Sequence, residues 1–456
     1  MFEKLEKVLM PLAEAIGNNK YLVSIRDGFL ISTPLLIAGS IFLVIANLPF
    51  PGFSDWIASI PIADGTLATY LSKPSDATFS LMAIFATFGI AYSYANQIKS
   101  DSLFCAASAL MAWFLIMPYT VTGSVEVGGE AVDVALSGIP LGWVGAKGIF
   151  VGIFCAFGAT AIYTWVKNRG WVIKMPAGVP PTVTESFSSL IPITVTMTIF
   201  FAINVAFGLA GTNVFDIVFT FLQTPLLGLG DTLGAMVVAY LFLHAFWFFG
   251  INGGSVVGAV FNPILQTLAA ENLEFFRTGV GEGHIICQQF QDLFATFGGC
   301  GSTLSLLIAM ILFCKSARIK QLSRLAFIPG VFNINEPIVF GLPIVMNPVI
   351  IIPFVLVPTL NIVISYFAMD WGIVPICSGV QIPWTMPLGI SGVLATNWMG
   401  GILQILLLIM GVFVYLPFIK TIDNQYLHDE QVAAEQALDE PAEDDIDLDD
   451  LSFDDL

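Results

Sequence analysis

Long apolar runs separated by short polar segments set the architecture. Seven runs, at about 29 to 48, 79 to 96, 102 to 121, 149 to 166, 187 to 210, 293 to 314 and 398 to 418, meet or nearly meet the roughly 20 residues that a helix needs to cross a hydrocarbon core. Two more, 234 to 251 and 348 to 368, are interrupted, the latter by Pro353 and Pro358. A buried span tolerates such prolines because neighbouring helices satisfy the freed backbone groups. Hydropathy leaves 214 to 230 ambiguous, and the distribution of Lys and Arg resolves it, since short cytoplasmic loops are enriched in both. Lys4, Lys7, Lys20 and Arg26 put the N-terminus inside, Lys99 follows the second span, and Lys167, Arg169 and Lys174 follow the fourth. Lys315, Arg318, Lys320 and Arg324 fall inside only if 214 to 230 is a span. The pattern predicts an all-α polytopic membrane protein with ten transmembrane helices and both termini cytoplasmic.

Two stretches, 325 to 348 and 377 to 397, are too apolar for plain loops and too broken by Pro and Gly for ordinary spans. Irregular backbone at membrane depth is tolerated where it is buried in protein or lines a cavity, so both read as re-entrant hairpins along a solute pathway. Segment 252 to 292 falls outside by span counting, although its polar groups suit a further hairpin. At the start, Phe2, Leu5, Val8, Leu9, Leu12 and Ile16 share one helical face and Glu3, Lys4, Glu6 and Lys7 the other. That is an N-terminal amphipathic helix, lying on lipid or docked against the body.

Composition agrees: 56% of residues are hydrophobic and only 11% charged, too few to clothe a water-soluble surface of this size. The net charge of −18 is local, because residues 421 to 456 hold 14 acids and no Lys or Arg. The chain therefore divides into a membrane domain, 1 to 420, and an acidic tail, 421 to 456, too polar and self-repelling to fold alone. The near-neutral body excludes a nucleic-acid partner, which needs a basic field. The six cysteines show no CxxC spacing and mostly sit in apolar runs, so no disulfide, metal site or cofactor is expected.

The chemistry concentrates at Asn333-Ile334-Asn335-Glu336-Pro337. A carboxylate in an apolar hairpin costs roughly 2.5 to 3.5 kcal/mol to insert and is a functional candidate for that reason. Glu336 is the candidate general base toward a substrate hydroxyl, with Asn333 and Asn335 as polyol contacts; the alternative is that Glu336 pairs with an Arg or backbone donors to hold the hairpin. His244 and Asn252 bracket the aromatic segment around Trp247, and Trp384 lies in the second hairpin. Either indole offers a face on which a pyranose stacks, against the alternative of core packing. A lone membrane histidine such as His244 is more often structural. Lys147 and the stretch His284-Ile285-Ile286-Cys287-Gln288-Gln289 are weaker candidates for a gate or sugar contact, against the alternative of ordinary loop chemistry. From these residues alone the chain is a carrier for an uncharged, hydroxyl-rich solute.

Five strings, SIRDGFLISTPLLIAGS, RGWVIKMPAGVPPTVTESFSSLIP, WFFGINGG, FNINEPIVFGLPIVMNP and QIPWTMPLGISG, occur in order. Together they resemble the membrane-embedded IIC component of the bacterial phosphoenolpyruvate-dependent sugar phosphotransferase system, closest in its lactose, cellobiose and diacetylchitobiose branch. The likeness runs from about residue 2 to 420. It implies a homodimeric permease of the bacterial cytoplasmic membrane that takes up a β-linked disaccharide and presents its C6 hydroxyl to a IIB partner. That partner is phosphorylated on Cys through enzyme I, HPr and IIA. Glu336 matches the family's NEP glutamate, which contacts that hydroxyl, and Trp247 and Trp384 match aromatic positions that contact sugar. One position departs: the usual Gly-Ile-His-Gly reads Gly-Ile-Asn-Gly here, so Asn252 is expected to bind substrate without relaying a proton, and His244 is a conceivable replacement. The tail lacks the length and the Cys of a IIB domain, so IIA and IIB are expected as separate chains. A proton-coupled carrier that leaves its sugar unmodified is the alternative, since the phosphoryl chemistry resides in partners.

Overall fold

The structure, a computed structural model, describes residues 19–46, 52–127, 130–176, 178–342, 344 and 347–439. Its first half is built from α1 (Lys20–Ala46), α2 (Leu67–Asp76), α3 (Met82–Gln97), α4 (Ser102–Ile116), α5 (Ile149–Asn168) and α6 (Pro181–Leu209). Small residues let α1 and α3 meet backbone to backbone: a Cβ on Gly28 would stand 2.5 Å from the Ile90 nitrogen, and one on Gly89 2.7 Å from the Gly28 carbonyl oxygen. Close helix approach of this kind gains packing where water provides no hydrophobic drive. Phe29, Met82, Ala86, Trp113, Phe150 and Phe200 fill the core behind it. Asp101 joins α5 to the start of α4, pairing with Lys167 and accepting the Tyr163 hydroxyl at 2.9 Å.

The second half begins with α7 (Val214–Gly230) and α8 (Leu233–Phe248), bent by 76° at the break between them. There follow α9 (Gly253–Thr278), α10 (Thr303–Phe313), α11 (Ala317–Val331), α12 (Glu336–Gly341), α13 (Ile351–Asp370), α14 (Ile390–Ala395) and α15 (Trp398–Asp439). Between α9 and α10, Gln288–Phe290 continues as a π-helical turn, Gln291–Ala295, and then breaks. A second core holds this half together, with Leu265, Phe290, Phe294, Phe354, Leu407 and Tyr415 fully buried or nearly so. Leu273 of α9 and Val380 pack instead into the first core, which ties the halves.

Five expectations change. Among the described residues eight helices have the length and apolarity of a span, nine if the bent α7–α8 pair is one, in place of ten separate spans. Gly253–Thr278, expected outside, is one of the eight; Gln266, Glu271, Asn272 and Arg277 dilute its hydropathy in sequence, yet Gln266 and Asn272 are buried. The apolar run from 102 stops at Ile116 because Pro118 cannot continue it, leaving a 15-residue helix. The fold is not purely helical: Thr120–Val127 (β1) pairs antiparallel with Glu130–Ser137 (β2), Thr120 opposite Ser137. Alternating Val and Thr around Gly128-Gly129 favour such a hairpin.

The tail is the fifth change. The stretch expected to lack structure from 421 is helical to Asp439, because Asp423, 1% exposed, accepts the Lys315 and Ser316 N–H groups, both at 2.9 Å. Glu430 accepts the Ser316 hydroxyl at 2.7 Å and the Arg318 N–H at 3.1 Å. Two carboxylates thus cap the N-terminus of α11, where the helix dipole favours negative charge. The N-terminal amphipathic helix and residues 440 to 456 lie outside the described residues.

Candidate functional site

The turn between α11 and α12 projects the Asn-Glu-Pro segment. Pro337 sits in the first turn of α12, where its missing N–H has no partner to lose, and Glu336 starts that helix. Asn333 adopts φ +63°, a left-handed conformation that Asn tolerates better than most residues. Its side chain fastens three segments at once: Oδ1 accepts the Gly298 N–H at 2.6 Å, and Nδ2 donates to the Trp384 carbonyl. Asn335 donates from Nδ2 to the Cys300 carbonyl at 2.9 Å.

These bonds bring the turn between α11 and α12, the irregular segment before α14 and the break before α10 to one cavity of about 300 Å³. That is the lower end of the range for small-molecule sites, roughly 300 to 1,000 Å³. Glu336, Asn335, Asn252, Trp247 and Trp384 all line it, so five of the six expected site residues converge from α8, α9, α12 and two irregular segments. Among the described residues no Lys, Arg or His lines it.

The individual geometries refine the expectations. Glu336 is exposed, not enclosed in apolar surroundings, and no side chain among the described residues pairs with its carboxylate. The ion pair proposed as its alternative role is therefore missing among the described residues. Asn252 caps α9, its Oδ1 accepting the Ser255 N–H at 2.9 Å, so its amide nitrogen is the group left for a ligand. Trp384 is 51% exposed and presents a face; Trp247 is 8% exposed, and its Nε1 is buried against Cys300. Trp247 thus lines the cavity with most of its ring and its N–H enclosed.

His244 stands apart. It is fully buried and does not line the cavity. Nδ1 lies 2.7 Å from the Tyr240 carbonyl oxygen and Nε2 accepts the Gly301 N–H at 3.0 Å. An accepting Nε2 carries no proton, so the ring is the neutral Nδ1–H tautomer with both nitrogens occupied. As a sugar contact or a replacement for the missing motif histidine, His244 is corrected by this geometry.

Asp292, Gln291, Thr296, Gly299 and Cys300 also line the cavity. Asp292 takes a hydrogen bond from Gln288 Nε2 at 2.9 Å. No residue of this segment is among those expected at the site, although two signals mark it: Asp292 is the single charged residue between Cys287 and Cys314, and three glycines interrupt the apolar run in Phe297-Gly298-Gly299-Cys300-Gly301-Ser302. Behind it, Gln404 of α15 donates to the Leu293 carbonyl at 2.7 Å and accepts the Gly389 and Gly392 N–H groups at 2.7 and 3.0 Å, pinning the second hairpin to the π turn.

A second cavity of about 440 Å³, lined by Asp76, Lys147, Glu271, Glu274 and Arg277 among others, shares no lining residue with the first. Beside it, His284 joins the break after α7 to α9: Nδ1 lies 2.8 Å from Asp231 and Nε2 3.0 Å from Glu271. The Asp231 hydrogen bond, followed by that from Glu271, raises its pKa to about 10 against the opposing effect of burial. The stretch 284 to 289 is thus a structural strap and not plain loop.

A family model described as Phosphotransferase system, EIIC matches residues 26–358. The chain is 39% identical to the PTS system oligo-beta-mannoside-specific EIIC component of Bacillus subtilis (strain 168), over 95% of this chain and 97% of the relative. It is 41% identical to the PTS system cellobiose-specific EIIC component of Geobacillus stearothermophilus, over 94% and 95%. The crystal structure of the transporter ChbC, the IIC component from the N,N'-diacetylchitobiose-specific phosphotransferase system, superposes with a TM-score of 0.87 at 39% identity, over 94% of this chain and 99% of that one. With a cavity that gathers the Asn-Glu-Pro turn and its surrounding polar groups inside a bundle of apolar helices, the chain belongs to the membrane-embedded EIIC family of the phosphotransferase system.

Proposed function

We propose that this EIIC protein carries a β-linked disaccharide, of the cellobiose, diacetylchitobiose or lactose type, across the bacterial cytoplasmic membrane and presents its C6 hydroxyl to a phosphorylated IIB protein. Body 1 to 420 performs the transport as a homodimer with both termini cytoplasmic. The observation that carries the reading is the convergence of Glu336, Asn335, Asn252, Trp247 and Trp384 on one cavity, with no cation among the described residues to select an anionic substrate.

In this reading Trp384 stacks on a sugar ring. Asn335 and Asn252, the latter through Nδ2, hydrogen-bond hydroxyls, and Trp247 contacts the sugar with the ring edge that lines the cavity. Glu336 accepts the C6 hydroxyl proton as that oxygen attacks phosphorus. The new O–P bond forms as the S–P bond to the IIB cysteine breaks, and the sulfur leaves as thiolate. Asn252 does not take part in proton transfer, because an amide does not titrate near neutrality.

Vesicles containing this chain, with phosphorylated IIB and its upstream donors on the cytoplasmic side, test the reading. Cellobiose and diacetylchitobiose are the probes, and sugar phosphate on the IIB side is the expected product. Free sugar accumulating with a proton gradient, and no phosphorylation, would replace the reading with a proton-coupled carrier.

A further inference from the structure

The break before α10 is an unusual piece of backbone. Gly298, Gly299 and Gly301 take positive φ, and so does Ser302 at +56°, a conformation that a side-chain-bearing residue avoids. Such strain persists only where surroundings over-determine it, and here they do. Tyr415 of α15 donates its hydroxyl to the Gly301 carbonyl at 2.5 Å, and Asn361 of α13 donates to Ser302 Oγ at 3.0 Å. His244 of α8 receives the Gly301 N–H.

The other side of the same loop is the cavity wall. The Cys300 carbonyl holds Asn335, and Gly299 runs so close that a Cβ there would lie 2.6 Å from the Asn335 side chain. The path from His244 to the cavity is therefore short and fully hydrogen-bonded: imidazole, Gly301, the adjoining Cys300 carbonyl, the Asn335 amide, and Glu336 next in the chain. We infer that His244 is a positioning residue, which holds the 296–302 loop in place behind Asn335 and Glu336 through the Gly301 N–H.

The inference rests on the proposed function for its catalytic consequence, but its structural half is measurable without sugar. Hydrogen exchange over 296–302 in the full-length protein is expected to quicken at least tenfold in His244→Ala, since a buried N–H loses its acceptor. It should return to within about threefold in His244→Gln, whose side-chain carbonyl can accept from Gly301. Tyr415→Phe, which keeps the ring and removes the donor to the Gly301 carbonyl, should quicken the same amides and serves if the alanine variant does not fold. Unchanged exchange in Tyr415→Phe and in any folded His244→Ala overturns the inference.

With cellobiose and diacetylchitobiose as probes, His244→Ala should weaken sugar affinity and slow IIB-dependent phosphorylation by about tenfold to a hundredfold, and His244→Gln should restore both. A folded His244→Gln that binds sugar but transfers no phosphoryl group would show that the imidazole itself is required, and would also overturn the inference. If the wild type phosphorylates neither sugar, the functional reading fails while the exchange data still decide the positioning.

Discussion

His284 is clamped between two carboxylates, and its substitution is a stringent test of the electrostatics. His284→Gln removes a cation that bridges Asp231, at the break after α7, to Glu271 on α9, leaving two like charges facing a neutral amide. The folded pKa of about 10 lies above the ordinary 6.5. The pairing therefore stabilises the fold fully below about 6.5 and loses that contribution as pH rises through about 10. Each tenfold in proton affinity is worth about 1.4 kcal/mol, which sets a ceiling of roughly 5 kcal/mol for the whole shift. The imidazole is 17% exposed, and solvent screening reduces this to an expected loss of about 2 to 4 kcal/mol on substitution. The groups that face this strap are Asp231 and Glu271 directly, with the Arg277–Asp76 pair, Glu274 and Lys147 around the neighbouring cavity. Melting followed by tryptophan fluorescence from pH 6 to 10 should show the variant several degrees less stable at neutral pH, with the gap closing at the alkaline end. Parallel curves with a constant gap, or no gap at all, would refute the assignment of an imidazolium at neutral pH.

Three further outcomes are expected. Asp423→Asn should lower stability by roughly 2 to 3 kcal/mol, because buried N–H groups lose a charged acceptor; truncation after residue 420 should do the same, and deletion of 440 to 456 should leave the melting midpoint within error of wild type. Glu336→Gln should retain sugar binding within a few-fold while IIB-dependent phosphorylation falls by 10² or more, as expected for loss of a general base; transfer at the wild-type rate would remove Glu336 from the chemistry. Asn252→Asp keeps the oxygen that caps α9 and exchanges the free N–H₂ for an acceptor, so melting should hold while sugar affinity drops about tenfold; a loss of stability without a loss of affinity would confine Asn252 to capping.

Long apolar runs made the membrane bundle legible, and the Asn-Glu-Pro and Trp positions made five cavity residues legible, because each is costly or conspicuous in its segment. What hydropathy missed was polar in composition and buried in the fold. Helix α9 carries Gln266 and Asn272, whose amides are spent on Gln381 and on the His284 and Cys377 carbonyls; a window average counts them as solvent-facing. The tail failed for the mirror-image reason: Asp423 and Glu430 look like two more repelling acids until the N-terminus of α11, more than a hundred residues earlier, supplies the N–H groups they cap. His244 illustrates a third limit. Its spacing from Asn252 allowed a shared site, and only the tertiary fold shows Gly301 on the far side of its ring.

The cavity wall contains Glu336 and Asp292 and, among the described residues, not a single cation, which bears on how a turnover ends. A neutral disaccharide enters without an electrostatic penalty. In the proposed reading the sugar then carries a phosphate, and once Glu336 has released the proton it accepted the same walls repel the product: two charges about 5 Å apart in a medium of intermediate dielectric cost on the order of 1 to 3 kcal/mol, and a dianion meets two carboxylates. Sugar phosphate should accordingly compete with sugar for the site at least tenfold less well than sugar itself. The chemical step would then also serve as the expulsion signal, so that product departs without any element of the protein having to push it out.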